Sequence, residues 1–199
     1  MYQPISINDM AAASYFPLLG EPLSLDLVNT RIRSDGTDVD LLDAPAALAT
    51  WLAAESGRLS WSGAVSAADL HAVRTLRDTI AALMTARRAG TRPRLAAVKA
   101  VNAALSASAP AVRLVWTAAG PRAAKRTAGM QRDALLYALA LDAVSLLTGP
   151  DAALVRTCEH PDCVLQFLAR NPRRRWCSAS VCGNRARVAR HYARHQKAG

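Results

Sequence analysis

Four cysteines are all the chain has: Cys158, Cys163, Cys177 and Cys182. They read Cys-Glu-His-Pro-Asp-Cys and, beyond a longer loop, Cys-Ser-Ala-Ser-Val-Cys. Two close pairs separated in this way suit a structural Zn²⁺ site, because the ion takes four soft ligands at tetrahedral corners and each short loop offers two sulfurs. A pair of disulfides, a redox dithiol and unrelated buried thiols are the alternatives. The residues before Cys158 contain no cysteine at all, which argues against thiols scattered through a core. The start Met1-Tyr2-Gln3-Pro4 shows no basic stretch followed by an apolar one, so no export signal is expected, and this argues against disulfides. Zinc is the expectation. His160 lies between two of the cysteines, but with four thiolates available it is not needed as a ligand.

The residues around the cysteines are basic. Arg173, Arg174 and Arg175 precede Trp176, and Cys182 is followed by Gly183, Asn184, Arg185, Arg187, Arg190, His191, Arg194 and His195. On a helix over 181–195, Arg187, Arg190 and Arg194 fall on one side, flanked by His191 and His195. Val181, Val188 and Tyr192 fall opposite, with Arg185 close to them. The apolar side is expected to pack on the zinc loops. The arginine side is expected to follow a phosphate backbone, with Arg173, Arg174 and Arg175 as a second basic site, since a guanidinium meets phosphate or guanine oxygens in pairs. Trp176, Gly183, Asn184 and Arg185 are expected to shape the site rather than to touch a ligand, with backbone N–H groups after Cys182 bonding a thiolate.

The strings Arg174-Arg175-Trp176-Cys177-Ser178 and Cys182-Gly183-Asn184-Arg185 resemble the CGNR zinc finger. Upstream, Leu25-Asp26-Leu27-Val28-Asn29-Thr30 resembles the opening of the ABATE domain that accompanies this finger in bacterial proteins described as stress-induced transcription regulators. The resemblance covers about residues 15–195 and implies DNA binding. It departs from the family pattern at Phe167-Leu168-Ala169-Arg170-Asn171, which lacks the usual acidic residue and Ser/Thr, and at Arg187, where lysine is common.

Charge supports a polyanion partner. Of the net +10, the segment from Arg156 to Gly199 contributes +8, with ten Lys/Arg against two Asp/Glu. Alanine and leucine dominate a chain that is 51% hydrophobic and 5% aromatic, which favours helix. No apolar run reaches the roughly 18–20 residues needed to span a bilayer, so a cytoplasmic protein without membrane contact is expected.

The elements that must position the site read as a mainly α fold. A multihelical domain over 15–150 carries one short β-hairpin, and a small four-cysteine zinc finger with a C-terminal basic helix follows over 151–199. Residues 1–14 read as a leader and 16–20 as a turn. Helix is favoured over strand after Pro22, with Asp26 and Asn29 as polar residues within an apolar stretch. Ser34 to Asp38 reads as a loop. Asp43 is expected to cap a helix to about Glu55, and Ser66 and Asp69 to form a capping box for a helix to about Arg88. Arg92-Pro93 opens another helix with the stripe Leu95, Val98, Val101 and Leu105. A hairpin follows across 111–127. Met130 to Leu147 reads as a helix apolar on nearly every side, hence central and buried, with Asp142 available to pair with an arginine.

No glycine-rich phosphate loop, metalloprotease or hydrolase motif is present, and a zinc shell of four cysteines leaves no position for a reactive water. A non-enzymatic, zinc-dependent protein binding duplex DNA is the expectation, with the helical part sensing a small-molecule effector or forming a homodimer. An RNA-binding or protein-interaction module on the same zinc scaffold is the alternative.

Overall fold

The computed structural model describes residues 16–17, 20–108, 111–126 and 130–195; the expected leader over 1–14 and part of the turn over 16–20 lie outside them. Six helices dominate the described residues. They are α1 (Leu23–Val28), α2 (Pro45–Ala54), α3 (Ala67–Arg88), α4 (Leu95–Ala107), α5 (Gln131–Thr148) and α6 (Cys182–His195). Three two-stranded antiparallel sheets join them: β1 (Arg31–Ser34) with β2 (Thr37–Asp40), β3 (Ala111–Thr117) with β4 (Gly120–Arg126), and β5 (Val155–Thr157) with β6 (Gln166–Leu168).

Helix α1 is short and wholly buried, including Ser24 and Asp26. The Leu23-Leu25-Leu27 alternation fits a strand equally well, but burial on every side favours the helix, because a helix satisfies its own backbone. Pro22 stands at its N-cap. Helices α3 and α5 pack on α1 and on each other, and α4 packs on α3 and α5, giving one core that includes Leu25, Leu27, Trp51, Val73, Ile80, Leu139 and Ala143. The capping box of α3 forms as expected: Ser66 Oγ accepts from the Asp69 N–H, and the Ser66 N–H donates to the Asp69 carboxylate. Gly90, at φ +63°, follows the end of α3.

Several expectations are corrected. Asp43 caps nothing; Ala44 is the N-cap of α2, with Pro45 opening the helix. The segment 34–38 is a hairpin tip, in which Asp35 and Gly36 take φ of 49° and 76° as a two-residue primed turn requires. Helix α4 starts two residues beyond Pro93, and its Leu95 and Val98 face solvent. Helix α5 is central but not enclosed: Leu135, Leu139, Ala140, Ala143 and Leu146 are buried while Leu141 is exposed. Asp142 on α5 accepts from the Ser24 N–H at the start of α1, and among the described residues it makes no ion pair with an arginine.

Charged groups inside the fold are paired. Arg77, on α3, is fully buried and donates two hydrogen bonds to the Asp40 carboxylate and one to Thr30 Oγ1. Arg58 bridges the buried Asp26 and Glu55 and also donates to the Glu21 carbonyl. Burial alone would push the Asp40 carboxyl up, but hydrogen bonds and charge from Arg77 hold it below the ordinary carboxylate range. Arg77→Met would remove the buried guanidinium from Asp40 and from Thr30. Stability in chemical denaturation should fall toward the lower end of the about 3–5 kcal/mol typical of a broken buried pair, because Arg74 still reaches Asp40. An unchanged denaturation midpoint would contradict this role.

Candidate zinc centre and basic surface

Each pair of cysteines sits on its own tight loop. Strand β5 leads into Cys158, the chain turns through 159–162, and Cys163 leads back toward β6. The turn is fixed locally: the Cys158 N–H donates to the Leu165 carbonyl at 2.9 Å, and the Asp162 N–H donates to His160 Nδ1 at 3.2 Å. His160 is thus engaged with its own loop. The second loop carries Cys177, turns over 178–181, and ends with Cys182 as the first residue of α6.

The sulfurs converge. All four Sγ atoms lie within 4.8 Å of one another, with Cys163 to Cys177 at 3.8 Å and Cys177 to Cys182 at 3.6 Å. A Zn–S bond of about 2.3 Å at tetrahedral angles spaces sulfurs by about 3.8 Å, so the cluster has the dimensions of one Zn²⁺. Backbone amides serve the sulfurs as well. The Cys177 N–H points at Cys158 Sγ at 3.4 Å, and the Leu165 amide bonds Cys163. These take the place expected for amides after Cys182; the Gly183 N–H instead donates to the Ser178 carbonyl.

Without a cation, four crowded thiols conflict. Hydrogen bonds from Cys163, Cys177 and Cys182 hold Cys158 far below the ordinary thiol range, while hydrogen bonds to Cys158 and Cys163 push Cys177 and Cys182 far above it. A dication lets all four ionise together and releases the remaining protons. The donor set, its spacing and three buried members out of four fit Zn²⁺ as a structural cofactor.

The helical part holds this module through residues whose roles the sequence left open. Asn29 makes a reciprocal buried pair with the backbone of Gln166: its Nδ2 donates to the carbonyl at 2.9 Å and its Oδ1 accepts from the N–H at 2.8 Å. Glu21, also buried, accepts from the Leu168 N–H and pairs with Arg174. From the module side, the Asp162 carboxylate accepts the Asp35 and Gly36 amides at the β1–β2 tip. Those amides hold it below the ordinary carboxylate range. Ile32 of β1 joins Leu165, Phe167 and the cysteines in a small second core. The Asp35-Gly36 pair was the readable signal for this hairpin, and alternation of two apolar residues was too short to show it.

The basic residues divide. Arg174 is a brace, not a free cation. It stacks over Phe167 at 4.3 Å and donates to the carbonyls of Trp176 and Cys177, at 3.2 and 2.7 Å, as well as to Glu21. Arg175 pairs with Glu159 and lies over Trp176 at 5.2 Å. Arg173 is exposed. Trp176 packs beside the cysteines and so close to Gly183 that an added Cβ would stand 3.2 Å from its ring. Among the described side chains of α6, Cys182 and Gly183 are buried, and Arg187, Arg190 and Arg194 are exposed. Arg187 donates to Asn184 Oδ1 and Arg194 to the Arg190 carbonyl. The expected packing of Val181, Val188 and Tyr192 against the zinc loops is not seen; they are 50%, 45% and 64% exposed. Helix α6 is rooted in the metal loops through the buried Cys182 and Gly183, and these three side chains lie outside that contact. Arg185 is likewise exposed rather than bracing, and its charge acts on Asp162.

Two family models match the chain. One, ABATE, described as "Putative stress-induced transcription regulator", covers residues 21–150; the other, the CGNR zinc finger, covers residues 155–195. No curated protein matches the chain.

Elemental analysis of the purified protein should return one Zn²⁺ per chain, and Cys182→Ser should release it; full retention in that variant would contradict the four-sulfur site. Asn29→Ala strands a buried N–H and a buried carbonyl of Gln166. It should lower stability by about 2–6 kcal/mol in denaturant titrations, at about 1–3 kcal/mol for each unmet group.

Proposed function

Since the chain belongs to the ABATE family and carries a CGNR zinc finger, we propose that it is a zinc-dependent DNA-binding transcription regulator. In this reading Cys158, Cys163, Cys177 and Cys182 hold the ion, and it has no catalytic part because four sulfurs complete the tetrahedral shell. The helical domain serves sensing or dimerisation, and the cytoplasm is where protein and DNA meet.

One observation carries the reading. Helix α6 is fixed at one end by Cys182 and exposed beyond its first turn, with Arg187, Arg190 and Arg194 along one side. Three guanidiniums at three- and four-residue steps follow a phosphate backbone, and a protruding helix fits the major groove of B-form DNA. The same groove in A-form RNA is too deep and narrow for side chains to read, which favours DNA over the RNA alternative. Arg173 adds an exposed cation on the loop before the second pair, while Arg174 and Arg175 act mainly within the module.

No helix among the described residues is long and apolar enough to cross a membrane, in keeping with a partner in solution. The test is affinity for duplex DNA against salt. With about four to six phosphate contacts the log–log slope should be about −4 to −5. Alanine at Arg187, Arg190 and Arg194 together should flatten it by about 2–3 with zinc content unchanged. An unaltered slope would remove α6 from the interface; preference for single-stranded RNA over duplex DNA would favour the alternative.

A further inference from the structure

The β3–β4 ribbon is the second place where positive charge gathers. Residues 111–126 hold Arg113, Arg122, Lys125 and Arg126 and no acidic residue. Apart from the ribbon and the zinc module, the chain has eleven Lys/Arg against thirteen Asp/Glu. The whole positive balance of the protein therefore resides in these two elements.

The ribbon also exposes what a two-stranded sheet normally covers. Its strands pair in full register from Ala111↔Arg126 to Thr117↔Gly120. That register puts positions 113, 122 and 126 on one face and positions 112, 114, 116 and 121 on the other. Leu114 and Trp116 are 74% and 76% exposed, and Pro121 and Arg122 are exposed too. An isolated hairpin is marginal in water, and one that keeps a bare tryptophan in a segment holding four basic residues is better explained by a partner than by packing.

Placement adds a constraint. The ribbon precedes the N-terminal end of α5, with Arg126 four residues before Met130. The zinc module sits at the other end, where the Ala169 N–H donates to the Leu154 carbonyl just past α5. The eighteen residues of α5 are a rod about 27 Å long, the length of about eight base pairs.

We propose that the β3–β4 ribbon is a second nucleic-acid contact, gripping through its cations and Trp116 the same duplex that α6 engages. This rests on the reading of the zinc module as a DNA binder. A two-stranded ribbon enters a groove as a helix does, its cations neutralise phosphates, and an exposed aromatic ring packs on sugars or wedges at a base step.

The test uses the full-length, zinc-loaded protein and a duplex of about 20 base pairs, titrated across salt. One variant carries alanine at Arg113, Arg122, Lys125 and Arg126; a second is Trp116→Ala alone, at an exposed position where folding is not at stake. The charge variant should lower affinity at least about tenfold near 0.1 M salt and flatten the slope by about 2–4, and Trp116→Ala should weaken binding with the slope kept. Hydrogen exchange across 111–126 should slow when duplex is added. Wild-type affinity in both variants, alongside loss in the Arg187/Arg190/Arg194 variant, would overturn the ribbon contact and leave the reading of α6 standing. Absence of duplex binding by the wild type would sink both. Protection of the ribbon by vesicles of anionic phospholipid but not by duplex, or a drop to half the native mass in Trp116→Ala with DNA affinity kept, would overturn the proposal in favour of a membrane surface or a second copy.

Discussion

Four sulfurs brought within a few ångströms are an unstable arrangement until a cation joins them. Much else in the C-terminal part depends on that one constraint. The two loops share only a small apolar cluster, and one of its members, Ile32, comes from the distant β1 strand. A module with so little core cannot order itself by burial alone. Metal coordination supplies the missing free energy in such modules, so the position of Cys182, and with it the root of α6, follows from the ion.

The metal loops are not an appendage. Glu21, Asn29 and the β1–β2 tip each bond the backbone or a side chain of the module, and Asp162 and Arg174 answer from the module's side. Arg174 is the hinge of this arrangement: it touches the helical domain through Glu21 and the second cysteine loop through the Cys177 carbonyl. The short α1 segment joins the two parts. Its leucines lie in the helical core, and the residues that flank it, Glu21 and Asn29, reach the zinc module. Helix α1 is thus the place where the helical core and β6 meet.

Much of this was legible in the chain. The cysteine spacing pointed to the metal, Ser66 and Asp69 to the start of α3, and the hairpin expected across 111–127 to the ribbon. What escaped sequence reading was the long-range partnership of polar residues. Asn29 and Gln166 are 137 residues apart, and nothing in either neighbourhood names the other. Arg174 looked like its neighbours Arg173 and Arg175, because a half-buried brace and a solvent cation share one residue type. Helix α6 misled differently: its apolar side has the period of a packed helix, yet Val181, Val188 and Tyr192 are exposed.

The charge distribution gives this architecture its functional sense. The buried Arg77 is matched by a carboxylate and Arg58 matches the buried Asp26 and Glu55, while Arg187 and Arg194 on α6 bond neutral oxygens of their own helix. A surface of that kind needs a rigid base, and the ion is that base. The direct measurement is duplex affinity through a cycle of chelation and zinc return. The account predicts that binding collapses with metal removal and recovers when Zn²⁺ is restored. Equal affinity in the metal-free and metal-loaded protein would contradict it.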